Sequence, residues 1–148
     1  MSKQVQVALL LTGNELMSGD TVDSNSSRIA LALGAHKIGV GKKITVGDDP
    51  TLLTDSLIDL CASAEVVIIN GGLGPTEDDL TAELVAEVAG QALVNHPSAI
   101  EHLQEWCERR GLELNASNLK QALLPEGADL VANRIGSAVG FAIEVNGA

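Results

Sequence analysis

The sequence predicts an α/β fold, a mostly parallel sheet with helices on both faces. Three observations carry that expectation. Val5-Gln-Val-Ala-Leu-Leu-Leu11 and Val66-Val-Ile-Ile69 are short, near-continuous apolar runs, the pattern of central strands covered on both faces. Each runs into a glycine-bearing turn and then a segment with helical signals. The short spacing of strand, helix and strand fits right-handed crossovers within one parallel sheet.

Taken in order, the first strand breaks at Thr12-Gly13-Asn14, and a loop with Glu15, Asp20 and Asp23 follows. Asn25 or Ser26 then caps a helix through Leu33 that Gly34 ends. Ile38 to Val46 is glycine-broken but strand-like at Lys43-Ile-Thr-Val46. Asp49 and Pro50 read as N-cap and first residue of a helix with an apolar stripe of Leu52, Leu53, Leu57, Leu60 and Cys61. After the Val66–Ile69 strand come the turn Asn70 to Leu80 and a helix from Thr81 to Ala89, closed by Gly90.

The second half has a different rhythm. Pro97 to Arg110 is a helix with Asn95 or His96 as cap and Gly111 as stop. Asn115 to Leu124 is a shorter helix stopped by Pro125-Glu-Gly127, and Ala128 to Asn133 reads as a strand. Phe141 to Val145 is a last strand, and Asn146-Gly147 is a strong type I′ turn signal. The returning strand of that hairpin is not in the sequence, so residues 1–148 read as a single domain cut short at its C-terminal end.

Composition narrows the function. The chain carries 9 Lys and Arg against 20 Asp and Glu, a net charge of −11, and its aromatic residues are Trp106 and Phe141. It therefore has neither the basic face nor the stacking platforms that nucleic acids require. Cys61 and Cys107 lie far apart in helical patterns, which suggests small core residues in a reducing cytoplasm. The apolar start is too short for a signal sequence or a bilayer span, so no membrane partner is expected. His36, His96 and His102 form no cluster and read as surface or capping residues.

In an open parallel sheet, ligands bind outside the carboxyl ends of the strands. That rule gathers Thr12 to Glu15, Gly47 to Asp49 and Asn70 to Thr81 on one rim, and each loop carries glycine and a carboxylate. Gly71, Gly72 and Gly74, lacking side chains, would let backbone N–H groups approach phosphate oxygens, with the Thr76 hydroxyl as a further donor. Glu77, Asp78 and Asp79 stand beside them. Two like charges about 4 Å apart repel by roughly 4 kcal/mol at an effective dielectric of 20, whereas a helix end returns only about 0.3–2 kcal/mol. No lysine or arginine lies in this loop. A divalent cation held by one or two carboxylates and the phosphate closes that gap and supplies a Lewis acid.

Structural readings stand beside these. Acidic residues at the start of a helix also serve its dipole. Asp49 is sufficiently explained as an N-cap, which leaves Asp48 as the better ligand. Glu15 is equally a solvated loop residue. No Ser/His/Asp or Cys/His arrangement suggests covalent catalysis.

The segments Thr12-Gly-Asn-Glu-Leu16, Gly19-Asp20, Asp23-Ser-Asn25, Val46-Gly-Asp-Asp49, Gly71-Gly-Leu-Gly-Pro-Thr-Glu-Asp-Asp-Leu-Thr81 and Asn118-Leu-Lys-Gln-Ala-Leu-Leu-Pro-Glu-Gly127 resemble, in order, the N-terminal domain of the CinA family. That domain is part of the molybdopterin-binding superfamily with the MogA and MoaB proteins and the gephyrin G domain. The resemblance implies a three-layer α/β/α fold and a nucleotide pyrophosphatase, notably towards ADP-ribose, that depends on Mg²⁺, Mn²⁺ or Co²⁺. In the molybdenum-cofactor relatives the same site adenylylates molybdopterin with two essential aspartates, which fall here on Asp48 and Asp79.

The expected ligands of the metal are Asp48, Asp78, Asp79 and Glu15. The expected phosphate or nucleotide contacts are Gly13, Asn25, Gly71, Gly72, Gly74, Thr76, Thr81 and Lys120, the last being the candidate positive side chain for the rim. The family's deamidase domain and its Leu-Pro-Gly-Pro-Pro segment are not in this sequence. Members are commonly homo-oligomers, so a dimer or trimer is expected. The alternatives are molybdopterin binding or adenylylation, and a catalytically silent nucleotide-binding module.

Overall fold

The structure is a computed structural model that describes residues 5–148. It divides into two compact units, one formed by the described residues up to Gly71 with Val145–Ala148 and the other by Gly72–Glu144.

In the first unit, β1 (Val7–Thr12) is the middle strand of a three-stranded parallel sheet in the order β2-β1-β3, with β2 at Val40–Val46 and β3 at Val66–Asn70. Every residue of β1 is buried, as a continuous apolar run requires of a strand paired on both edges. Leu9 stands opposite Lys43 on one side and Ile68 on the other. Exposed Lys42 and Lys43 line the outer strand, where charge discourages further pairing. Val5 and Gln6 lie before the strand, so the sheet begins two residues later than the apolar run suggests.

Helix α3 (Pro50–Ser63) begins as the sequence indicates, with the Asp49 carboxylate accepting from the Leu52 amide at 2.8 Å and Pro50 at the first position. Its buried face is Leu53, Leu57, Leu60 and Cys61, spaced i, i+4, i+7 and i+8. Leu52 falls off that face and stays 55% exposed, which corrects the expected stripe.

Two further differences are local. A short helix α1 (Asn14–Ser18) forms where the sequence reads as loop, since five residues are too few for a periodic pattern. Helix α2 (Asn25–Ala35) runs through Gly34 rather than ending there. It closes on Lys37 at φ +62, with Lys37 N–H donating to Gly34 O and Ile38 N–H to Leu33 O, the paired bonds of a Schellman end. At the C-terminus Asn146 and Gly147 take φ +52 and +89, and Val145 and Ala148 exchange both backbone bonds at 2.9 Å. The turn signal is therefore met.

The second unit contains α4 (Thr81–Ala89), closed by Gly90 at φ +66, and α5 (Pro97–Arg109), with His96 as N-cap. Around them lie two antiparallel pairs, β4 (Leu93–Asn95) with β5 (Leu123–Pro125) and β6 (Asp129–Val131) with β7 (Gly140–Ala142). Ala99, Leu103, Ala122, Leu124 and Val139 form its core. Helix α6 (Ala116–Leu119) is capped by the Asn115 side chain at 2.9 Å and passes into a 3₁₀ turn, Lys120–Ala122.

The expected helix from Asn115 to Leu124 is thus corrected. Its last residues are drawn into pairing with β4, and His96 N–H donates to Ala122 O at 2.9 Å. The two final strands are also shorter than expected, Asp129–Val131 in place of Ala128 to Asn133 and Gly140–Ala142 in place of Phe141 to Val145. Cys61 and Cys107 are free and buried, as expected of small core residues.

Candidate functional site

The first unit gathers Thr12, Asn14 and Asp48 at the carboxyl ends of β1 and β2. Asp48 accepts from the Thr12 hydroxyl at 3.2 Å through Oδ1 and from the Asn14 amide at 3.1 Å through Oδ2. The Asp48 amide donates in return to Asn14 Oδ1 at 3.0 Å, and Gly13 N–H donates to Val46 O at 3.2 Å. Thr12 is only 4% exposed, so the carboxylate also satisfies a buried hydroxyl.

Removing the Asp48 carboxylate leaves Thr12 and Asn14 without those bonds. Asp48→Ala is expected to destabilise the chain by about 1–2 kcal/mol, with Asp48→Asn milder, in urea unfolding. Unchanged stability in the alanine variant would show that these bonds are dispensable.

Glu15 is exposed, and its carboxylate folds back over Gly13, where an added Cβ would lie 2.5 Å from Oε1. Asn25 Nδ2 donates to Asn70 Oδ1 at 3.0 Å, tying the start of α2 to the end of β3. Gly71, at φ +114, passes so close to the Thr12 carbonyl that a side chain would collide with it. Asp23 serves α2: it accepts from the Ser26 hydroxyl and, at 2.9 Å, from the Ser26 amide, with Lys43 at 3.4 Å. Those Ser26 bonds, with a lesser contribution from Lys43, hold the Asp23 carboxyl below the usual range against the opposing effect of burial.

The second unit holds the rest of the glycine loop, and Asp79 organises it. One oxygen, Oδ2, accepts from the Thr76 amide at 2.9 Å and the Thr76 hydroxyl at 2.6 Å. The Gly74 amide is a further donor to the carboxylate. Burial pushes the Asp79 carboxyl up, but the Thr76 and Gly74 bonds and the nearby Lys120 charge outweigh it and hold the group below the ordinary range. The turn closes with Asp79 N–H donating to Thr76 O at 3.2 Å. Gly72, at φ +70, lies against buried Thr81, whose amide donates to Gly72 O at 3.1 Å. Glu77 and Asp78 are exposed at the tip of the loop.

Two residues after α6 fasten this loop. Lys120 Nζ donates to the main-chain carbonyls of Thr76 and, at 2.7 Å, Asp79. The loop therefore has a positive side chain close by, but its donors go to the loop's backbone. Gln121 Nε2 donates to Ser137 Oγ at 3.1 Å and, at 3.5 Å, makes a weak contact with Leu73 O. Among the described residues, the buried Gln121 Oε1 has no donor. A cavity of about 20 Å³ is lined by Gly72, Gly74, Asp79, Lys120 and Gln121 among others.

Gln121 escapes the sequence reading although it sits in the Asn118–Gly127 segment, since only the fold reveals its reach to Leu73. Among the described residues no three His, Cys, Asp or Glu side chains form a group that could hold a metal ion.

Residues 8–145 match a family described as a probable molybdopterin binding domain. The chain belongs to the molybdopterin-binding domain family. Within this family it is 51% identical to a CinA-like protein of Colwellia psychrerythraea over 95% of its own length and 33% of the relative's. It is 43% identical to a CinA-like protein of Citrifermentans bemidjiense, again over 95% of this chain and 34% of that one. The chain thus spans about a third of the length of the curated relatives it matches.

A solved CinA structure from Thermoplasma acidophilum superimposes with a TM-score of 0.86 at 29% identity, over 97% of this chain and 84% of that one. The molybdopterin biosynthesis enzyme MoaB of Thermus thermophilus shares the fold, with a TM-score of 0.58 at 18% identity over 93% and 79% of the two chains. The mixed α/β family fold with its parallel sheet is the one the sequence predicts. Among the described residues no helix is long and apolar enough to cross a membrane.

Proposed function

We propose that this domain is a divalent-metal-dependent pyrophosphatase acting on a nucleotide diphosphate linkage, with ADP-ribose or a close analogue as substrate. The observation that carries the reading is the convergence of Asp79, the Thr76 and Gly74 donors and Lys120 on one short loop. Thr76 and Gly74 are suited to phosphate oxygens, and Lys120 keeps their spacing by holding the loop's carbonyls. Asp79, with Asp78, is this unit's candidate for the cation; Asp48 and Glu15 are those of the other unit. A bound divalent ion supplies charge neutralisation and Lewis-acid activation of the phosphoanhydride.

The charge balance supports the ion. An incoming pyrophosphate meets Glu77, Asp78 and Asp79, while two of the three Lys120 donors are engaged by the backbone. The test is hydrolysis of ADP-ribose to AMP and ribose 5-phosphate, measured with added Mg²⁺, Mn²⁺ or Co²⁺ and again in excess chelator. Turnover is expected with the ion and background without it; equal rates in chelator would remove the metal from the reaction.

The family description favours a second reading, molybdopterin binding with adenylyl transfer. It predicts ATP consumption only when the pterin is present, and no ADP-ribose turnover.

A further inference from the structure

The donors that a phosphate oxygen would use in the glycine loop already hold an anion, and it is the protein's own. The Thr76 amide, the Thr76 hydroxyl and the Gly74 amide all point to the Asp79 carboxylate. The seat is shaped for that group: a Cβ on Gly74 would stand 2.5 Å from Asp79 Oδ2, so glycine at this position admits the carboxylate itself. A carboxylate and a phosphate oxygen have the same charge sign and seek the same hydrogens, so the two compete for one set of donors.

A second observation is independent of those bonds. Gln121 is 6% exposed, its Oε1 has no donor, and it lines the small cavity shared with Gly72, Gly74, Asp79 and Lys120. At about 20 Å³ the cavity exceeds the roughly 10–15 Å³ that one water requires. Gln121 thus leaves a buried acceptor in the lining residue set, suited to the O–H of one water in this cavity.

We propose that Asp79 is a built-in competitor for the anion site: in the metal-free chain its carboxylate occupies the Gly74 and Thr76 donors, and phosphate is seated only as the carboxylate leaves. Anion affinity is therefore coupled to whatever draws Asp79 out of the loop. Lys120 gives two of its three donors to the Thr76 and Asp79 carbonyls and so keeps the loop's shape with either anion in place. The inference rests on the pyrophosphatase reading only for the class of anion, and its test reads binding, so a chain that never hydrolyses a nucleotide still decides it.

The experiment is calorimetric titration of inorganic pyrophosphate into the full chain in excess chelator, with circular dichroism confirming that each variant is folded. Asp79→Ala is expected to bind at least about tenfold more tightly than the unaltered chain. Asp79→Asn should fall between them, because its amide oxygen still accepts from Thr76 but carries no charge. Glu77→Gln removes one charge from the same loop without freeing these donors, and should stay within about threefold of the unaltered chain.

Adding Thr76→Val to Asp79→Ala should cancel most of the gain. Equal gains in Asp79→Ala and Glu77→Gln would reduce the effect to net charge and overturn the proposal. So would a gain that survives loss of the Thr76 hydroxyl, or no detectable binding by either Asp79 variant.

Discussion

With Asp79→Asn, hydrolysis of ADP-ribose in the presence of Mg²⁺ is expected to fall by about a thousandfold while the chain keeps its fold. The asparagine has the same shape and can still accept from the Thr76 amide and hydroxyl, so the loop between Gly72 and Thr81 keeps its local bonds. What it loses is the negative charge, the property the proposed ion requires. The comparison is of kcat and KM for the two chains at saturating metal. A matching kcat would sink the role of Asp79 in the reaction. Together with the pyrophosphate titrations, the expected outcome is an uncommon pairing, a substitution that tightens metal-free anion binding and sharply lowers turnover. A residue that merely supported the loop would weaken both.

The sequence made the covered strands, the larger helices and several of their ends legible because those signals are local. Asp49 with Pro50 begins α3, Gly90 ends α4, and Asn146-Gly147 makes the reciprocal turn, each within a few residues of its cause. The pair β4 and β5, joined across 28 or more positions of sequence, was not legible. β4 and β5 have three residues each and exist only as a pair, so Leu123 and Leu124 looked like the end of a helix.

The glycine loop was legible only in part. A missing Cβ announces that something comes close, but not what does. Within the protein, the nearest neighbour is Thr81 at Gly72 and the Asp79 carboxylate at Gly74. The sequence also showed no basic residue within the loop, which was correct. Lys120 reaches the Asp79 carbonyl from 41 positions downstream, a contact that no local pattern contains.

Lys120→Met is the substitution that separates two roles for that side chain. If Lys120 grips the loop, as its bonds to the Thr76 and Asp79 carbonyls indicate, the variant keeps the aliphatic stem but releases the segment that carries the Asp79 donors. A misplacement on the order of 1 Å at a reacting group can cost about 10²-fold, so kcat is expected to drop by roughly that factor. KM should change little, since no direct bond to substrate is lost. Lys120→Arg should not restore the rate, because a planar fork cannot reproduce one ammonium shared between two converging carbonyls. Hydrogen exchange at the Thr76 and Asp79 amides should quicken in both variants, a readout independent of turnover. The rival role, a direct phosphate contact, predicts the opposite split. Under that role KM rises steeply, kcat is largely kept, Lys120→Arg recovers part of the affinity, and the loop amides stay protected. Kinetics of that kind would return Lys120 to the substrate, and the loop would then need another anchor, for which Gln121 Nε2, 3.5 Å from Leu73 O, is the remaining side chain of the same turn.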